Sequence, residues 1–224
     1  AASKDYDMEI MEDALFSYAK LAFEQSYNPL DDAITAFQKY IDQYPNSVRR
    51  DEAYRFLLDV YLVSRDYDRA MDALDQIRDK DATVQSSYQV LAYNRGVELY
   101  QGGKYNAALP YFDKVRNYPI DAQLAAESFY WQGECYFAVR DYTNATAAYS
   151  KFSLAPGGYS SGFYPAADYA RGYSLFKRKK YSDALSAFRS YLEANPEDAP
   201  KRLLDAELRT ADCFYAKKEF DRAV

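Results

Sequence analysis

Apolar residues along this chain return at intervals of four and three, break at a proline or a charged turn, and then begin again. From Lys179 the chain reads KKYSDALSAFRSYLEANP, in which an aromatic is followed three residues later by Ala184, then by Phe188 and Tyr191. From Gly103 it reads GKYNAALPYFDKVRNYP and places Ala108, Phe112 and Val115 in the same order. Such spacing keeps one stripe on an α-helix, whereas a half-buried strand would alternate. The alanine marks six such places, Ala33, Ala70, Ala108, Ala145, Ala184 and Ala223, separated by 37, 38, 37, 39 and 39 residues. A near-constant period of this length is the sign of stacked structural repeats.

Each unit reads as two helices. Two residues before the alanines stand Asp31, Asp68, Asn106, Thr143, Ser182 and Asp221, side chains that can accept from free amides, so they predict the start of the second helix. Pro45, Pro119, Pro156 and Pro196 close most second helices, because proline cannot donate the next helical hydrogen bond. Twelve residues before the alanines, Leu58, Gly96, Gly133, Gly172 and Ala211 mark the first helix. A mid-helix glycine costs about 1 kcal/mol relative to alanine, which points to a close crossing where the glycine faces a methyl group. Three residues further on, Tyr61, Leu99, Tyr136, Leu175 and Phe214 continue the buried stripe.

The expected fold is an all-α solenoid of antiparallel helix pairs, a right-handed superhelix of about eleven helices and a truncated twelfth. Its units fall near residues 6–45, 48–80, 84–119, 121–156, 161–196 and 199–224 of one array. The chain stops at KKEFDRAV, inside the sixth motif. A trimmed array is expected from this, with an uncovered apolar side and association through that C-terminal end.

The run Phe129, Gly133, Tyr136, Ala145, Tyr149, Pro156 resembles the tetratricopeptide repeat signature, and the other units match it in part. The period exceeds the 34 residues of the standard repeat. Ala92, Asp168 and Glu207 stand where an aromatic should open the first helix, and Trp131 lies outside the usual tryptophan column. The long period and the Tyr-Pro ends are similar to repeat proteins of bacterial envelopes, such as outer-membrane assembly lipoproteins and cell-division coordinators. That resemblance implies a periplasmic or outer-membrane setting, with the cytoplasm as the other choice, and a non-enzymatic scaffold for protein partners.

Composition narrows the chemistry. A net charge of −6 opposes broad binding to nucleic acid or anionic membranes, and no run reaches the ~20 apolar residues of a membrane helix. Histidine is absent, which removes the commonest general base and zinc ligand. Cys135 and Cys213 read as buried thiols. No catalytic residue, metal site or cofactor is expected. The glycine-rich segment 153–165 reads as a long flexible connection, not a phosphate loop, because no Gly-Lys-Ser/Thr follows it. Glu127 and Glu134 share a helix face and read as solvated. The cluster Lys177 to Lys180 reads as complementing a helix C-terminus, and Asn144-Ala145-Thr146 as a chance glycosylation match.

Twenty-five tyrosines remain to be explained. Tyr40, Tyr61, Tyr67, Tyr105, Tyr136, Tyr142, Tyr149, Tyr181 and Tyr191 fall in packing columns. Tyr93, Tyr130 and Tyr169 precede the crossing residue by three, in a column that Arg55 starts and Leu208 ends; Tyr173 joins Asp59, Glu134 and Asp212 in the column just after it. On a solenoid these positions predict a concave groove of rigid aromatics flanked by carboxylates. Arg55, Asp59, Tyr93, Tyr130, Glu134, Tyr169 and Tyr173 are therefore the candidate site for a peptide or partner protein. A glycan or cell-wall ligand stacking on the same tyrosines is the alternative. Removal of Tyr130 and Tyr169 is expected to abolish capture and spare the fold.

Overall fold

A computed structural model of the protein describes residues 2–25, 29–194 and 200–223. Among the described residues there are eleven α-helices, one closing 3-10 turn and no strand. The chain divides into two compact units, residues 1–91 and 92–224. The first holds α1 (Ala2–Gln25), α2 (Pro29–Gln43), α3 (Arg50–Val63) and α4 (Tyr67–Gln76). Helix α5 (Ala82–Gln101) contains the division. The second continues with α6 (Tyr105–Lys114), α7 (Ala122–Ala138), α8 (Tyr142–Leu154), α9 (Tyr164–Lys177), α10 (Tyr181–Ala194) and α11 (Pro200–Ala216). Within the first unit α1 to α4 each pack on the next helix, as α6 to α11 do within the second. This is the expected helical-pair array. Pro196 lies outside the described residues.

The second helices begin earlier than the sequence suggested. Tyr67, Tyr105, Tyr142 and Tyr181 are already their first residues, so Asp68, Asn106, Thr143 and Ser182 lie in the first turn and are not caps. Capping falls one position before the aromatic: Asp66 accepts from the Arg69 amide (3.2 Å) and Asp141 from the Asn144 amide (3.1 Å). Asp68 and Asp183 sit instead where their charge complements the helix dipole.

The corner between first and second helix is one motif repeated five times. Arg65, Gly103, Arg140, Lys179 and Lys218 have φ between +57° and +72°. The next amide reaches back to the carbonyl of Tyr61, Leu99, Tyr136, Leu175 or Phe214 at 2.8–2.9 Å, closing the helix with a left-handed residue and a six-residue hydrogen-bonded loop. The buried-stripe residue that each unit repeats is therefore also the carbonyl that ends its helix.

At the crossings the glycines face rings, not methyl groups. A Cβ on Gly96 would lie 2.7 Å from Phe112, one on Gly133 2.5 Å from Tyr149, and one on Gly172 2.8 Å from Phe188. Each of these rings is fully buried. Ala33, Ala70, Ala108, Ala145 and Ala184 are buried too, but at the three glycine crossings the missing side chain accommodates the aromatic four residues beyond the alanine.

Segment 153–165 is packed and does not act as a loose connection. Phe163 stacks on Tyr130 with centroids 4.6 Å apart and planes 7° apart, and buried Ser161 donates to Glu127 at 2.8 Å. Both cysteines are fully buried; burial raises the Cys135 thiol to about 12 and Cys213 to about 11, so both stay protonated and unreactive.

Candidate partner-binding face

The column positions proposed for recognition come together on the first helices, and there most of them tie one repeat to the next. In the second unit, Tyr93 on α5 donates its hydroxyl to Glu127 Oε2 on α7 (2.8 Å) and accepts from the Trp131 indole N–H (2.8 Å). About two turns along, Tyr100 donates to Glu134 Oε2 at 3.2 Å, while Tyr149 donates to Glu134 Oε1 at 2.7 Å. On α9, Tyr169 and Tyr173 both donate to Asp205 Oδ2 on α11, the former at 2.8 Å, and Arg209 stands 3.6 Å from the other oxygen. A tyrosine of one first helix thus meets a carboxylate of the following one, forming a polar seam along an otherwise apolar joint.

Glu127 is consequently not on a solvated face. It is 6% exposed and accepts from Tyr93, Gln123 and Ser161, as a buried carboxylate requires. Asp168, one of the departures from the aromatic opening column, is likewise buried and accepts from Arg171 (2.7 Å) and Ser190 (2.6 Å).

Burial moves the hydroxyls of Tyr93, Tyr149 and Tyr169 far above the ordinary tyrosine range, and the neighbouring carboxylates act in the same direction. They are fixed neutral donors. Asp205 is also desolvated, but the hydrogen bonds from Tyr173 and Tyr169 and the charge of Arg209 outweigh this and hold it below the usual carboxylate range.

Tyr130 does not line an open groove. It is 9% exposed, stacked on Phe163 and packed against Tyr149 and Phe152, so removing it would damage the core as well as any surface. In the first unit, Arg55 on α3 pairs with Asp81 at 2.9 Å. The same carboxylate caps the start of α5 through the Val84 amide, and that bond followed by Arg55 lowers its pKa. Asp59 is exposed, although nearby atoms shield its carboxyl from water enough to raise it. Leu208 is exposed and Asp212 is half-buried, bound by Arg209 at 2.6 Å.

Sequence reasoning passed over Tyr100, Trp131, Phe163 and Asp205. Half-buried Trp131 lies 5.1 Å from the Tyr100 ring and 5.4 Å from both Tyr130 and Phe163, ring centre to ring centre. With Tyr105 beyond Tyr100 at 5.4 Å, these rings make a continuous strip beside Glu134. A signal was available: Glu127 and Asp205 both stand six residues before their crossing residue.

The second-helix side carries a different feature. A cleft of about 510 Å³ lies between α2, α3 and α4, floored by Leu57 and Tyr61 with Arg69 and Asp72 at its rim. The same repeat positions, including Arg171, Leu175 and Asp183, border a cleft of about 330 Å³ between α8, α9 and α10. Among the described residues no cluster of three or more acidic or thiol side chains could hold a metal, and no helix is long and apolar enough to cross a membrane.

Comparison with known proteins agrees with this construction. No curated protein matches the sequence significantly. Among solved structures, the chain is similar to MamA (17% identity, 79% of this chain and 87% of that one, TM-score 0.53). It is also similar to YrrB, described as a TPR protein with an unusual peptide-binding site (18% identity, 84% and 87%, TM-score 0.52). One family model described as tetratricopeptide repeat matches residues 93–159 and 169–224, more than half of the chain, and a second of the same description matches residues 13–47. The repeated helix pairs, their glycine crossings and these matches together place the chain in the tetratricopeptide repeat family.

Proposed function

We propose that the protein is a non-catalytic scaffold that holds a peptide segment of a partner protein on the first-helix face of its second unit. The observation that carries this reading is the half-buried strip of Tyr105, Tyr100 and Trp131 beside Glu134. Its rings are held in place by one another and by the Trp131 to Tyr93 hydrogen bond. Rigid aromatics offer contact area without loss of side-chain freedom on binding. The adjacent carboxylate Glu134 favours a peptide in which an aliphatic or aromatic residue is followed by Lys or Arg, and Asp205 offers a second carboxylate further along the first helices. Tyr93, Tyr169 and Tyr173 contribute ring edges, their hydroxyls being held by the seam; Arg55 and Asp59 on α3 hold the equivalent repeat positions within the first unit. The peptide-binding site named for YrrB supports the choice of ligand class, and the resemblance to envelope repeat proteins supports a partner in the bacterial cell envelope.

Trp131 is the only tryptophan in the chain, so its fluorescence reports directly on this strip. Binders from an array of random dodecamer peptides, titrated into the protein, should shift Trp131 emission. Trp131→Phe keeps a ring and should weaken them severalfold; Tyr100→Ala should weaken them by about tenfold or more, the range of an interface hot spot. Peptides whose affinity is indifferent to Tyr100 would overturn the reading, as would peptidoglycan fragments that bind while no peptide does.

A further inference from the structure

The corner between α9 and α10 carries a charge that the fold does not use. Lys177, Arg178, Lys179 and Lys180 follow one another there, all exposed except half-buried Arg178. Among the described residues no carboxylate stands within ion-pair distance of any of the four. The helix dipole accounts for only part of the cluster. Lys177 lies in the last turn of α9 and Arg178 just beyond it, where a cation offsets the negative end of the helix. Lys180 immediately precedes Tyr181, the first residue of α10. A helix start is the positive end of the dipole, so Lys180 is set against the field it meets.

The other corners show what this position holds elsewhere. Asp66 and Asp141 stand there, accept from an amide of the helix they start, and set a negative charge beside the left-handed Arg65 or Arg140. Glu219 follows left-handed Lys218 in the same way. Lysine has no acceptor and cannot cap. At the α6 start Lys104 follows uncharged Gly103, so of the five corners only that between α9 and α10 places a lysine after a left-handed cation.

The excess charge is local. Residues 1–91 carry 10 Lys and Arg against 18 Asp and Glu, a net −8, whereas residues 92–224 carry 18 against 16, a net +2. The four contiguous cations decide that second sign. Lys179 and Lys180 also border a hollow of about 250 Å³ with Tyr181, Ser182 and Lys217 of α11. Asp183 is the one carboxylate in its lining, and Lys217 is shared with Glu219 at 2.8 Å. Three ammonium groups therefore face a concavity that admits a side-chain carboxylate but not the flat face of a bilayer.

We propose that this corner docks an acidic segment of a partner protein, an extended run of Asp or Glu in which one carboxylate enters the hollow between Lys179, Lys180 and Lys217 while its neighbours meet Lys177 and Arg178. A short segment feels chiefly the charges within a Debye length of ~8 Å, whereas an extended polyanion such as a nucleic acid or an anionic membrane is repelled by the net charge of −6 on the whole chain. Lysine ammonium groups are mobile point charges, so the corner reads charge and spacing, not the identity of each acid. It uses residues outside the aromatic strip and stands whether or not that strip binds a peptide.

Fluorescence anisotropy of a fluorescein-labelled dodecamer of alternating Asp and Glu tests this. The wild-type chain should bind it saturably at low salt and severalfold more weakly at physiological ionic strength. Lys179→Glu with Lys180→Glu should weaken binding by about tenfold or more, and Lys179→Arg with Lys180→Arg should retain it. Lys104→Glu with Lys151→Glu makes the same change of net charge at two exposed lysines of the same unit and should stay within about twofold of wild type, as should Tyr100→Ala, which removes a ring of the strip. Three results would overturn the proposal: no binding by the wild-type chain at low salt, an equal loss in the Lys104 and Lys151 variant, or phosphatidylglycerol vesicles or a single-stranded DNA dodecamer binding through Lys179 and Lys180 more tightly than the peptide.

Discussion

Replacing Gly133 with alanine tests the crossing. The change normally favours a helix by about 1 kcal/mol, so an exposed site would gain stability. Here the added carbon would lie 2.5 Å from Tyr149 Cε1 and 2.6 Å from Cδ1, about 1 Å inside the optimum separation of two carbons. The ring has little room to retreat, because Tyr149 is fully buried, its hydroxyl is bound to Glu134 at 2.7 Å and Tyr130 packs beside it. Overpacking of a closed core costs about 1–3 kcal/mol. Taking the upper end and subtracting the helix gain leaves a net loss of about 2 kcal/mol, or about 4–8 °C in melting temperature for a chain of this size. Thermal and urea unfolding followed by circular dichroism measure it, and Trp131, two residues away, gives a local fluorescence signal. The sharper result is a change of sign: in a Tyr149→Leu background the same alanine should stabilise by about 1 kcal/mol. The chain contains its own precedent in the second repeat, where Leu58 occupies the crossing and Leu74 replaces the ring. Gly133→Ala that is neutral or stabilising in the wild-type background would refute the ring-against-glycine account.

Two further outcomes follow from the corners and the seams. Lys179→Gly and Arg140→Gly should each stabilise by about 0.5–1 kcal/mol by relieving a left-handed residue, whereas Gly103→Ala should cost about 1 kcal/mol; urea midpoints moving the other way would show that these corners are unstrained. Stability should also fall at both extremes of pH. A tyrosine raised in the folded state contributes stability that is complete below its unfolded value and lost above it, so burial of Tyr40, raised from 10.0 to about 12, gives a loss between about pH 10 and 12. Asp205, lowered from 3.8, contributes stability present above its unfolded value and lost as the pH falls below about 4. A urea midpoint unchanged between pH 7 and 11.5 would contradict the alkaline limb.

The helix pairs were legible because burial of one face imposes a period, and the alanine and aromatic columns record it directly. The caps were misplaced for a local reason: Asp68 and Thr143 are as able to cap as Asp66 and Asp141, and only the position of the tyrosine as first helical residue separates them. Four of the left-handed corners were invisible because they carry Arg or Lys, with only Gly103 giving a conformational signal. The candidate site was half legible. Tyr93, Tyr169, Tyr173 and Glu134 do gather on the first helices, but a tyrosine column looks the same in sequence whether it meets water or the carboxylate of the next repeat. Which of the two holds depends on pairs such as Tyr93 with Glu127, 34 residues apart, and a single-repeat reading treats those residues separately.

The seam constrains recognition as well as stability. An apolar joint between parallel helices tolerates a slip of one turn, because leucine and alanine stripes look alike after such a shift. A tyrosine that must find a carboxylate does not, since the slipped register takes one of its three donors from buried Glu127, leaving a desolvated charge less well satisfied. The tyrosine hydroxyls that fix register are therefore committed: those of Tyr93, Tyr169 and Tyr173 are already bonded before any partner arrives. A partner meets ring edges, the indole face of Trp131 and the remaining lone pairs of half-buried Glu134 and Asp205. Under the proposed function this combination suits an apolar side chain next to a cation better than a ligand that needs many hydroxyl donors and acceptors, and the peptide titrations against Tyr100→Ala decide between them.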